Sequence, residues 1–260
     1  MNILVLVLLK GWLAMDKFLN MQMIMFGDYI SITPQTDIIL KLLNELKNDG
    51  FIPGTLDIPS LDLKTGRMIV NNRMQFISPD RTWTIVFLND RISVNYTFQK
   101  ETKCYTQISE LVMRAELIAK KVFSVFPNSV GHRLALNCQS TIENVTKHDL
   151  ESFRKKFTIP FDTYNSTDYA EWNVRYNVRG KIKVNETETE DCNRIVELAQ
   201  VENIDMSQNP PLQSNSIVLA IDVNTSVTSI SPRFKYNNLL SFSTDAAQFI
   251  SDFTKEIEER

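Results

Sequence analysis

The spacing of apolar and polar residues divides the chain into helical and extended stretches. Thr33 suits an N-cap, Pro34 the first helical position and Asp37 the first turn. Ile38, Ile39, Leu42, Leu43 and Leu46 then recur at helical spacing until Gly50 supplies a stop, which predicts a core-facing helix. Residues 67–77 read as extended, and residues 81–88 and 91–98 as two strands joined by an Asn89-Asp90 turn. Trp83, Ile85 and Phe87 share one face of the first strand; Ile92, Val94 and Tyr96 alternate likewise in the second. Between 105 and 126 the positions Ile108, Leu111, Val112, Ala115, Ile118, Val122 and Phe123 repeat at three and four, the strongest helical pattern in the chain. A strand over 131–139 follows, with Leu134, Leu136 and Cys138 on one side.

The second half reads as a looser replay. It offers a short helix at 147–157, a strand at 169–178, strands near 194–201 and 217–224, and a closing helix capped at Ser243 or Thr244, with Ala246, Phe249, Ile250, Phe253 and Ile257 as its buried stripe. Residues 185–191 and 208–216, the latter with Pro210-Pro211, read as solvated loops. The expected fold is α+β in two similar halves, each an antiparallel sheet packed by helices. Residues 21–140 hold the Trp83 hairpin and the long helix, 141–260 end in the C-terminal helix, and the hinge falls in 140–160.

At 260 residues and 43% apolar composition the chain can bury a full core. The net charge of -3 provides no global field for a polyanion or an anionic membrane, so nucleic acid and membrane are not the expected partners. Cys104, Cys138 and Cys192 are odd in number and widely separated, which suits a reducing, cytoplasmic setting. Residues 3–9 (ILVLVLL) resemble half a signal peptide, yet no basic residue precedes them and no small-residue cleavage site closes them. Residues 1–20 therefore read as a spurious N-terminal extension, and a chain begun at Met15 or Met21 is expected to fold.

Pro79-Asp80 followed by Glu101-Thr102-Lys103 spells the PD-(D/E)xK signature of metal-dependent nucleases. Asp80 and Glu101 would hold Mg²⁺ at the open end of the hairpin and Lys103 would steady the attacking water. Against it, Glu101 and Lys103 fall at or beyond the strand end, and little positive charge accompanies them. His132 and His148 are the only histidines and have no partners at ligand spacing. Cys138 alternates with an apolar strand face, where cysteine behaves as a small hydrophobe, and with seven glycines the chain offers no phosphate-cradling loop. Trp172, Arg175, Tyr176, Arg179, Lys181 and Lys183 interleave aromatic and basic residues as a surface for RNA or single-stranded DNA would. A half-buried strand produces the same alternation, with Trp172, Val174, Tyr176 and Val178 on one side and Asn173, Arg175 and Asn177 on the other.

The chain resembles a sporadically distributed prokaryotic family of roughly 260-residue proteins, mostly called hypothetical. The resemblance lies in residues 83–87 (WTIVF) with 92–94 (ISV), in 131–137 (GHRLALN) and in the closing helix over 242–253, and extends from about Met21 onward. The patchy distribution of that family implies mobile or conflict-related genes. The functional expectation is a non-enzymatic partner-binding protein, an accessory, sensor or neutralising subunit of a phage-defence or toxin system. No cofactor is expected. The partner would be another protein, encoded by a neighbouring gene or a second copy of the chain. The alternatives are the PD-(D/E)xK-like nuclease of Asp80, Glu101 and Lys103, and an RNA or single-stranded DNA binding module.

Overall fold

In the computed structural model, which describes residues 17–62, 66–158, 171–206, 210 and 212–259, the sequence MQMIMF at 21–26 lies at the centre of the molecule. It belongs to β1 (Lys17–Gly27), whose strict alternation sends Met21, Met23 and Met25 into the core and Gln22, Ile24 and Phe26 to the other side. The remaining strands are β2 (Ile52–Asp62), β3 (Arg67–Ile77), β4 (Trp83–Phe87), β5 (Arg91–Thr97), β6 (Gly131–Ile142), β7 (Asn173–Lys183), β8 (Thr189–Asp205) and β9 (Leu212–Thr225). All nine form one sheet in the order β2-β3-β4-β5-β1-β6-β9-β8-β7, every neighbouring pair antiparallel. The α+β class holds, but the two sheets expected from the sequence are one continuous sheet. β1 pairs with β5 on one side and β6 on the other, leaving no edge between them.

Four helices cover the methionine side: α1 (Thr36–Leu46), α2 (Ile108–Val125), α3 (Lys147–Phe157) and α4 (Tyr236–Glu259). α2 lies on β5 and β1, α4 on β6 and β7, and the two helices pack on each other. The stripe predicted for α2 is buried throughout, from Ile108 to Phe123. Ser243 and Thr244 do not cap α4, which begins two turns earlier because Leu239 and Phe242 are also core residues. Their hydroxyls reach Glu116 Oε1 on α2, at 2.7 and 3.3 Å, and so tie the helices together. α1 starts at Thr36 rather than just after Thr33. Its continuation, a 3₁₀ turn at Lys47–Asp49, stops at Gly50, whose φ of 71° is the left-handed conformation that glycine adopts without a Cβ penalty.

The sequence patterns missed β1 and β2. Pro53, Gly54 and Pro59 disguise β2, but among the described residues it is an edge strand pairing only with β3, where a missing N–H costs no ladder bond. Residues expected to be loop at 189–191 and 212–216 extend β8 and β9 into a long hairpin. Buried Arg73 joins the sheet to the connection after β1 by donating to the carbonyls of Ile30 (3.3 Å) and Ile32 (3.0 Å). The signal-like run at 3–9 lies outside the described residues. Residues 17–20 of the expected extension belong to β1, where Phe18 is buried and its N–H donates to the Tyr105 carbonyl.

Candidate functional site

Asp80 and Lys103 of the candidate nuclease set are each engaged by local partners. Asp80 occupies the turn between β3 and β4, where its Oδ1 accepts from Ser78 Oγ (2.5 Å), Thr82 N–H (3.1 Å) and Thr82 Oγ1 (2.8 Å). Burial opposes ionisation of Asp80, but the bonds from Ser78 and Thr82 outweigh it and hold the carboxyl below its ordinary range. The carboxylate is thus an acceptor for its own turn, where Arg81 has a φ of 59°. Glu101 is exposed in the turn after β5. Lys103 is exposed too, with its Nζ 2.9 Å from Glu110 Oε2 and over the Tyr105 ring. Asp80 and Lys103 are thus satisfied by their own neighbours. Among the described residues no group of three His, Cys, Asp or Glu side chains is placed to hold a metal ion.

Cys138 faces the core from β6; burial, and then the nearby Asp222 charge, push its thiol up to about 12, so it stays protonated at neutral pH. His148 is exposed on α3, and His132 lies at the start of β6 with its carbonyl accepting from Arg233. In β7 the register sends Tyr176 and Val178 to the helix side and Arg175, Asn177 and Arg179 to the other. Trp172 packs on Phe153 of α3, while Tyr176 remains exposed with its hydroxyl donating to the Phe157 carbonyl. Arg175 and Lys181 are paired with Glu197 and Asp191 across the strand.

The side of the sheet opposite the helices carries a different feature. One cross-strand row places Thr84, Asn95, Gln22, Asn137 and Asp222 side by side on five adjacent strands. The next row is Val86, Ser93, Ile24, Ala135 and Asn224; beyond it stand Arg91, Phe26 and Arg133. These rows line a concave surface on which Ile24, Ser93 and Ala135 are only 6%, 6% and 3% exposed, although they lie on the side opposite the described helices. The result is a cleft of about 330 Å³ floored by β5, β1 and β6 and bounded by β4 and β9. A second cleft of about 330 Å³ continues across β6, β9 and β8 and shares Asn137 and Asp222 with the first.

The cleft separates its charges. At one end the guanidinium groups of Arg133 and Arg91 stand 4.9 and 5.9 Å from the centre of the Phe26 ring. At the other end is the carboxamide row with Asp222. Asn95 Oδ1 and Asp222 Oδ1 in that row, and Arg133 Nε at the arginine end, are buried with no hydrogen-bond partner among the described residues. Neighbouring polar groups on the same side are satisfied: Asn20 donates to Gln139 (2.8 Å) and Asn193 to Asn224 (3.2 Å). Buried polar atoms are almost always paired, so three orphans in one cleft mark it out from the rest of the surface. Comparison with family models and with curated proteins finds no match to this chain.

Proposed function

We propose that this chain is a non-enzymatic binding protein that receives its ligand or partner in the cleft on the side of the sheet opposite the described helices. The observation that carries this reading is the set of buried, unpartnered atoms of Asn95, Asp222 and Arg133 in one concave site. Leaving a buried donor or acceptor unmade costs about 1–3 kcal/mol, and a bound group that satisfies all three would recover that cost on binding. A sensor or accessory subunit of a defence or toxin system, encoded beside its protein partner and cytoplasmic, is the role the family resemblance adds.

We also infer that the chain is built from two similar halves. Outward from the β1/β6 boundary the strand order runs β5-β4-β3-β2 on one side and β9-β8-β7 on the other, so the first half carries one extra edge strand, and each half ends in a long helix. On this reading the division falls between α2 and β6, near 126–130, rather than at 140–160. Asn95 and Asp222 then occupy corresponding places, one strand outside the central pair.

The test is affinity purification of the tagged full-length protein from its native host, beside the Arg133→Gln and Asp222→Ala variants. A partner retained by the parent and by Lys103→Ala but lost from both cleft variants supports the reading. Equal recovery by all four proteins would overturn it.

A further inference from the structure

The chemistry of this cleft narrows what it can hold; the inference rests on the cleft being a binding site. Arg91 and Arg133, on the two strands flanking Phe26, present guanidinium forks that suit a phosphate or carboxylate. The orphaned atoms at the opposite end, Asn95 Oδ1 and Asp222 Oδ1, are acceptors and call for N–H or O–H donors. Between the two ends the floor is the buried, mainly apolar Ile24, Ala135 and Ser93. A purely anionic ligand would place negative charge beside Asp222. A polyamine would meet the arginines.

Length decides among dipolar ligands. Gln22 and Phe26 are four residues apart on β1, which at strand rise is about 13 Å between the donor-seeking and anion-seeking rows. A free amino acid carries its carboxylate and ammonium on one carbon and cannot reach both. A nucleotide carries its phosphate and its base edge at opposite ends of a sugar, and the inward reach of the arginine side chains closes the remaining gap. A carboxylate accepts only, so it is matched best by a base whose edge offers two adjacent donors, as the ring N–H and amino group of guanine do.

We propose that the cleft binds a guanine nucleotide, with the phosphate on Arg91 and Arg133, the sugar over Ile24 and Ala135, and the base edge donating to Asp222 within the carboxamide row. The same chemistry is offered by a free nucleotide and by one nucleotide of a single strand.

Calorimetric titration of the full chain with GMP, AMP, CMP and UMP, and with a hexaribonucleotide containing one guanine, tests the assignment. GMP is expected to bind one to one and at least ten-fold more tightly than UMP. Arg133→Gln should weaken all four mononucleotides about equally, by ten-fold or more, whereas Asp222→Asn should erase the preference for GMP. Arg91→Gln replaces Arg133→Gln if the latter does not melt cooperatively. Lys181→Gln, outside the cleft and paired with Asp191, should change nothing. Tighter binding of the hexanucleotide identifies a strand as the source, and tighter binding of GMP a free nucleotide. No binding of any probe, or binding indifferent to both the arginine and the Asp222 variants, overturns the proposal. If probes fail while the same variants still lose a co-purifying partner, the nucleotide assignment falls and the binding role of the cleft stands.

Discussion

Asn95 on β5 and Asp222 on β9 stand in the same cross-strand row, one on each side of the central Gln22–Asn137 pair, and each buries a side-chain oxygen that meets no donor among the described residues. A fold that retains such groups gives up stability at that site. Asp222→Ala is therefore expected to leave the unliganded protein as stable as the parent or up to about 1 kcal/mol more so, because no hydrogen bond is lost. Leu136→Ala, which opens a hole among fully buried residues on the helix side, should cost about 2–5 kcal/mol. Urea midpoints of the two variants check the contrast, and a large loss in Asp222→Ala would show that its carboxylate is structural.

Asp49, in the 3₁₀ turn after α1, receives Arg114 (3.0 Å) and Lys121, both from α2. Burial opposes its ionisation, but hydrogen bonds from Lys121 and Arg114, reinforced by their charges, lower its pKa. A carboxyl depressed in the folded state contributes stability above its unfolded pKa of about 3.9 and loses it as the pH falls through the folded value. Asp49→Asn should therefore cost about 1–2 kcal/mol at pH 7, a figure reduced for the partial exposure of both cations. That difference should shrink steadily below about pH 4. Parallel denaturation curves at pH 7 and pH 3 decide it; a constant difference would contradict the assignment.

The place of Phe18 in β1 bears on where a shortened chain can begin. A chain starting at Met15 keeps the whole strand and should unfold as the parent does. One starting at Met21 loses the buried Phe18 ring and the bond from Phe98 N–H to the Leu19 carbonyl. Its stability should drop by about 3–5 kcal/mol, the usual consequence of deleting a buried aromatic side chain. Thermal melts of the two shortened chains separate the cases.

Asp80 is a turn residue in this structure, and its removal should behave accordingly. Asp80→Ala loses three hydrogen bonds at an exposed turn and should cost about 1 kcal/mol. Neither the parent nor this variant is expected to cut DNA or RNA with Mg²⁺ present. Metal-dependent cleavage by the parent that vanishes in both Asp80→Ala and Glu101→Ala would restore the nuclease reading.

Sequence alone determined the elements whose pattern is local. The α2 stripe, the Asn89-Asp90 hairpin, the span of α3 and the left-handed stop at Gly50 all follow from spacing within one stretch of chain, because a helix or hairpin imposes its own period on its own residues. β2 was hidden because its prolines are tolerable only at a sheet edge, and whether a strand is an edge is settled by its neighbours. Only the tertiary structure decided the cleft. Gln22, Asn95, Asn137 and Asp222 are far apart along the chain and meet because β1 pairs with both β5 and β6 and β6 with β9. Each would read as an ordinary polar residue on the solvent side of a strand. What sets Asn95 and Asp222 apart is a buried oxygen without a partner, which depends on the neighbouring strands that the sheet brings around them and which no single strand possesses.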